Sequence, residues 1–138
     1  MKLIKYIFWI LPFLFISCLE QVESKYDNYQ EATNDNLETR GWIPKEIILP
    51  SMTEIYLRTN IDINTCVFSY KLSSEDLKKV KDKLTSTNYE FIEPRGIKIP
   101  SWWLKGVYGL KVKAILEEDD WIYIAVNERQ NQIYGWRN

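Results

Sequence analysis

The chain has 138 residues, a length that suits one domain with a core large enough to be stable without disulfides. It is 46% hydrophobic and rich in Trp, Tyr and Phe, which is typical of a folded domain and excludes a disordered one. The formal net charge is −1 and there is no histidine, so a basic stripe for nucleic acid is missing, as are the commonest metal ligand and general base. We therefore expect no nucleic-acid partner, no metal and no cofactor.

The first residues have the order of a secretory signal peptide. Lys2 and Lys5 precede an apolar run at 6–16, and small Ser17 follows it. The run is about half of the ~20 apolar residues that cross a bilayer. Pro12 interrupts it further, so we expect a cleaved signal and not a transmembrane helix.

The sequence "FISC" at 15–18 resembles a bacterial lipobox. In that motif the cysteine is diacylated through sulfur, becomes the first residue after cleavage and is usually acylated on nitrogen, for example with palmitate. Phe15 departs from the pattern, which prefers Leu, and an ordinary signal with an incidental Cys18 is the alternative. We expect residues 1–17 to be a lipoprotein signal peptide and Cys18 to carry the anchor. The mature chain would then lie in the cell envelope, and Leu19 in place of Asp suggests outer-membrane sorting, or the periplasmic face, in a cell with two membranes.

Beyond the anchor we expect a polar tether at 18–25 and one globular domain at 26–138. Ser24 and Asp27 are spaced as a helix cap. A short helix is predicted there because apolar residues recur at three-residue steps, at Tyr26, Tyr29 and Ala32.

Two further helices and one strand are predicted in the middle of the chain. Ser51 and Glu54 form a capping-box pattern after a proline, which predicts a helix at 52–58. Ser73 and Asp76 form a second box, ahead of an apolar stripe. Between them, a strand is predicted from alternation on one face, at Cys66, Phe68, Tyr70 and Leu72.

This strand places Cys66 toward the core. With Cys18 lipidated, Cys66 has no disulfide partner, and a buried lone thiol behaves as a small hydrophobe. A nucleophilic role would need a base and electropositive surroundings. We therefore expect no catalytic role for it.

The C-terminal part is predicted to be an antiparallel meander. Strands are expected at 110–117, 121–126 and 133–136, with turns at 117–120 and 127–132 between them. Helices must cover the apolar face of such a sheet. The predicted fold is therefore α+β, with a small antiparallel sheet of about four strands packed against two or three short helices.

Three tryptophans and several acids are the candidate functional residues. Trp102 and Trp103 would point to opposite faces of an extended segment, so that one of them reaches the surface as a partner or glycan contact, although a core role is the commoner one. A hydrolase of cell-wall glycans is the alternative, using Asp62, Glu93 or the acids at 117–120. It would need two carboxyls about 5–10 Å apart across a cleft, and nothing in the sequence pairs them.

A series of short motifs runs from residue 29 to residue 72. In order they are Tyr29, Glu31-Ala32, "RGWIP" at 40–44, "LP" at 49–50 and "NIDINT" at 60–65, and Trp102-Trp103 and "YGW" at 134–136 follow later. They resemble the YbbD-head family of small bacterial proteins, many of them predicted lipoproteins. The family has no assigned reaction, so the resemblance implies a fold and a location and not an activity.

This chain departs from the family pattern at three places. "KEII" at 45–48 is inserted, Met52 replaces an alanine, and Thr59-Asn60 replaces a His-Asp or His-Asn step. The loss of that histidine removes the one titratable group that the motif would have offered. We interpret the rest of the motif as structural, with Trp42 as a large apolar side chain that anchors the segment. Trp42 is also the third candidate binding residue.

The sequence therefore favours a membrane-anchored envelope lipoprotein that is not an enzyme. Its domain would recognise an envelope protein partner. One version of this hypothesis is that the domain acts as an inhibitor or immunity-type protein. The membrane is the other partner, through Cys18. A carrier of small ligands is the remaining alternative, and it would require a sizeable apolar pocket.

We expect a Cys18→Ser variant to be free of acyl chains, because the hydroxyl cannot form the thioether of a lipobox cysteine. Mass spectrometry of the protein purified from the membrane and soluble fractions measures this. Acyl chains on the variant would show that Cys18 is not the site.

Overall fold

The computed structural model describes residues 21–87 and 93–137. The expected signal peptide at 1–17, Cys18 and the first residues of the expected tether lie outside this part. Among the helices within it, none is both long enough and apolar enough to cross a bilayer.

Seven strands form one antiparallel sheet in the described residues. They are β1 (Gln21–Asn28), β2 (Thr53–Asn60), β3 (Thr65–Lys71), β4 (Thr85–Ser86), β5 (Val112–Glu117), β6 (Asp120–Asn127) and β7 (Gln132–Arg137). Their order across the sheet is β1-β2-β3-β7-β6-β5-β4, so β1 and the short β4 are the edges.

The helices are short and lie between the strands. They are α1 (Tyr29–Asn34), the single turn α2 (Leu37–Arg40), α3 (Ser74–Lys83) and α4 (Ser101–Val107), with 3-10 turns at Lys45–Ile47 and Ile61–Ile63. The α+β fold is confirmed, and so is the C-terminal meander, which is β5-β6-β7. The expected number of strands was too low, because β1, β2 and β4 were not predicted.

Residues 52–58 were expected to be a helix, and this was wrong. They lie largely in β2, where Ile55 and Leu57 are buried at alternate positions. The Ser51 hydroxyl caps a different helix: it accepts a hydrogen bond from the Ser73 backbone N–H at 3.1 Å and donates one to the Asp76 carboxylate at 2.7 Å. A capping pattern in sequence does not specify which helix it caps.

Strand β1 also differs from expectation. Residues 21–25, assigned above to the tether, pair with β2, with Val22 opposite Thr59 and Ser24 opposite Leu57. The expected helix begins only at Tyr29, and Asn28 caps it by accepting from the Glu31 backbone N–H at 3.1 Å. Pairing to a strand some 30 residues away therefore overrides the weak local helical pattern.

The predicted strand at 65–72 is confirmed as β3, which is buried on both faces. Cys66, Phe68 and Tyr70 enter a large core beneath α1, α2 and α3, and Cys66 is completely buried as expected. Val67 points the other way into a small core that includes Trp103 of α4. The sheet is thus the middle of three layers.

The helix predicted after Ser73 is confirmed. The Ser73 hydroxyl accepts a hydrogen bond from the Asp76 backbone N–H at 3.2 Å, and Leu77 and Val80 are buried in the large core. In β5 Ile115 is buried in the large core, while Leu116, on the other face of the sheet, is 52% exposed at the hairpin end.

We expect Gly135→Ala to destabilise the fold more than Gly109→Ala does. An alanine Cβ at Gly135 would lie 2.0 Å from the Phe68 ring, and such overpacking costs up to about 3 kcal/mol. At Gly109, where φ is +77° and the space is open, only the left-handed backbone opposes alanine, at about 1 to 2 kcal/mol. Urea unfolding of the unanchored protein measures both, and equal losses would contradict this packing.

Candidate functional site

The three tryptophans proposed as binding residues occupy different environments. Trp103 is completely buried, and its indole N–H donates to the Gly135 carbonyl at 3.2 Å. Trp102 is half-buried, with its ring 5.4 Å from that of Tyr56. The expected extended segment is the helix α4, so both residues pack toward the sheet and Trp103 cannot reach a partner. Trp42 is half-buried and lines a pocket.

This pocket has a volume of about 340 Å³ and is partly open to solvent. It lies where the edge strand β1 and its neighbour β2 meet the chain that leaves α2. Its lining residues are Val22, Ser24, Arg40, Trp42, Leu57, Thr59 and Ile61. Four apolar side chains and two hydroxyls thus surround it, with one guanidinium at its rim.

The strand register builds one wall of the pocket. Val22 lies opposite Thr59 and Ser24 opposite Leu57, so these four side chains share one face of the sheet. Leu57 is buried and forms the floor together with the large core. The two strands pair from end to end, so this wall is part of the sheet.

The opposite wall is formed at the end of α2. Gly41 has φ +69°, a left-handed conformation that ends the helix and that glycine adopts without strain. Trp42 follows at the pocket, and Ile43 is completely buried in the large core.

Two long-range contacts fix this segment to the sheet. The Cys66 thiol lies 3.5 Å from the Trp42 carbonyl, and an Arg137 N–H donates to the Gly41 carbonyl at 3.4 Å. The position of Trp42 therefore depends on β3 and β7. Burial raises the pKa of the Cys66 thiol to about 12, which keeps it protonated as a donor.

Two polar side chains, Asp35 and Tyr26, hold Arg40 at the rim. Its guanidinium donates to the Asp35 carboxylate at 2.8 Å and to the Tyr26 hydroxyl at 3.3 Å, and Tyr26 donates in turn to Asp35. Burial, reinforced by the Asp35 carboxylate, raises the pKa of Tyr26. The Asp35 charge partly balances that of Arg40, so the rim is polar without a strong net charge.

The turn between β2 and β3 forms the mouth of the pocket. Asn60 is completely buried; its amide donates to the Gly96 carbonyl at 2.9 Å and its side-chain oxygen accepts from the Asp62 backbone N–H at 3.2 Å. Beside it Ile61 is 62% exposed. The turn therefore presents an apolar side chain from a fixed backbone.

The carboxylates considered for hydrolysis lie elsewhere. Asp62 is on the β2–β3 turn, Glu93 is exposed, and Glu117 and Asp120 lie 3.5 Å and 3.0 Å from Arg137. The lining of the Trp42 pocket contains no carboxylate. Across residues 21–87 and 93–137, no three acids or cysteines gather in a way that could hold a metal ion.

The fold and the pocket define a small α+β protein with a cleft beside its first edge strand. Residues 20–71 match the family model of the YbbD head domain, which confirms the resemblance for this part of the chain. All the pocket-lining residues fall within the match. No curated protein and no solved structure matches the chain.

The motifs singled out in the sequence meet at this pocket. "RGWIP" supplies Arg40 and Trp42, and "NIDINT" supplies Ile61 at the mouth. Thr59, where the family pattern has histidine, lines the wall, so this chain carries a hydroxyl there. Sequence reasoning missed Val22 and Ser24 because β1 was not predicted; their alternation with Tyr26 was the available signal.

We expect the Cys66 thiol to be unreactive in the native protein at pH 8, because it is completely buried and its pKa is raised to about 12. Titration of the Cys18→Ser variant with an aromatic disulfide reagent measures this, since Cys66 is then the only thiol. Reaction should be complete in denaturant and slow without it. Fast native labelling would mean that the contact beneath Trp42 opens readily.

Proposed function

We propose that this protein is a lipid-anchored lipoprotein of the bacterial cell envelope, and that its domain recognises an envelope protein partner without catalysing a reaction. The observation that carries the proposal is the pocket at Trp42, lined within the segment that matches the YbbD head domain. The anchor is Cys18, by its likeness to a lipobox.

The chemistry of the pocket suits the insertion of a partner side chain. Trp42 offers an aromatic wall and Arg40 a donor at the rim, the two residue types most typical of binding hot spots along with tyrosine. Val22, exposed by 38%, extends the apolar surface beside the pocket. A partner that covers the pocket would bring an apolar side chain with a hydrogen-bond acceptor near Arg40. An inhibitor or immunity-type role is one use of such a surface.

The alternatives fit this pocket less well. Hydrolysis of a cell-wall glycan would need two carboxylates across the cleft, and the lining supplies none. A carrier would need to enclose its ligand, whereas this pocket is open and near the lower limit of the ~300–1,000 Å³ typical of ligand sites.

The proposal is tested by cross-linking in intact cells with the anchored protein as bait. Two variants alter the pocket: Ser24→Gln fills it, and Trp42→Leu removes most of one wall while keeping an apolar side chain on the core. Their matched controls are Ser86→Gln, in the opposite edge strand β4, and Trp121→Leu, a 42% exposed tryptophan on β6.

We expect one dominant protein partner that is captured by the wild type and by both controls and is lost in both pocket variants. Circular dichroism of each variant confirms that the fold is retained. Capture that persists in both pocket variants would overturn the assignment of this surface. Failure to enrich any partner with several cross-linkers would overturn the recognition role itself.

A further inference from the structure

The start of the described chain and the β2–β3 turn lie side by side. Gln21, the first residue of β1, pairs with Asn60, the last residue of β2, and the turn Ile61–Ile63 follows directly. The chain therefore enters the domain at the corner where this turn is exposed.

The link between this corner and the proposed anchor is short. Only Leu19 and Glu20 separate Cys18 from Gln21, and three residue steps span at most about 11 Å. Strand β1 alone, with eight residues, is about 27 Å long. A domain held on so short a link must keep this corner at the membrane surface.

The same corner carries exposed apolar side chains. Ile61 is 62% exposed, Ile63 43% and Val22 38%, and they are three of the seven large apolar residues most exposed in the described chain. Ile63 packs against Gly96: a Cβ added at Gly96 would lie 2.1 Å from the Cδ1 atom of Ile63. The Asn60 amide also donates a hydrogen bond to the Gly96 carbonyl. The turn is thus held in place and cannot fold its isoleucines inward.

We propose that the β2–β3 turn inserts into the headgroup region of the bilayer that holds the anchor, with Ile61 and Ile63 as the inserted residues. The inference rests on the lipidation of Cys18 in the proposed function. Apolar side chains at a protein surface add to membrane affinity in proportion to the area that they bury. The anchor supplies proximity, and the turn then fixes the orientation of the domain.

The charge distribution at this end of the sheet favours a tilted orientation. The acidic β5–β6 turn, with Glu118 and Asp119, lies at the same end but about three strand spacings away, or roughly 14 Å across the sheet. Anionic headgroups would repel these two carboxylates more strongly than the single carboxylate of the β2–β3 turn, Asp62. The domain therefore leans on its β1 corner, with Ile61 and Ile63 toward the membrane surface.

The test measures the depth of a fluorophore in the lipidated full-length protein. Ile63→Cys is labelled with a nitrobenzoxadiazole dye, and the protein is reconstituted in vesicles of phosphatidylethanolamine and phosphatidylglycerol with or without headgroup spin labels. Cys66 is buried and the Cys18 sulfur is blocked by its lipid, so the label is specific. The control is Arg129→Cys, exposed in the β6–β7 turn at the opposite end of the sheet.

Mass spectrometry of each labelled sample first establishes whether the lipid is present. With lipid present, we expect spin-labelled lipids to reduce the emission at position 63 about twofold or more and to leave position 129 unchanged. Equal emission at the two positions would overturn the docking of the turn and leave the anchor intact. A chain without lipid would overturn both the docking and the anchor on which it rests.

Discussion

The burial of β3 on both of its faces is the constraint on which the rest of the structure depends. Its pairing with β2 and β7 joins the segment that matches the YbbD head domain to the C-terminal meander. Cys66 on one face and Val67 on the other connect the two cores. The hydrogen bond from the Cys66 thiol to the Trp42 carbonyl links this buried strand to the pocket. The wall at Trp42 is therefore in contact with the most buried strand of the sheet.

Elements with strong local signals could be predicted from the sequence. The strand at Cys66, the helix capped by Ser73 and the meander each carry their own periodicity or cap, so no distant residue decides their form. Strands β1 and β2 are different, because they are defined by pairing with each other. The Ser51 cap was misassigned for a similar reason: its hydroxyl bonds to residues more than 20 positions away.

The candidate site was predictable only in part. Trp42 was singled out as an apolar anchor, and it lines the pocket, whereas Trp103 belongs to the core because α4 is a helix and not an extended segment. Val22 and Ser24 entered the site through the register of β1, which no local pattern specifies. The family motifs marked the right region, since "RGWIP" and "NIDINT" lie far apart in sequence and meet only through that sheet. The motif at 40–44, which we interpreted as structural, thus also forms part of the proposed binding surface.

If the proposed anchor, partner and docking are correct, the pocket and the neighbouring turn are both covered when the protein is in its membrane. Hydrogen exchange read by mass spectrometry tests this directly, by comparing native membranes with the purified, unanchored protein. We expect slower exchange in membranes for peptides covering 40–44 and 61–64, where Trp42 and the exposed isoleucines lie. Peptides covering the β6–β7 turn at 128–131 should be unchanged. Equal exchange at 40–44 and 61–64 in both samples would show that neither the pocket nor the turn is covered in the membrane.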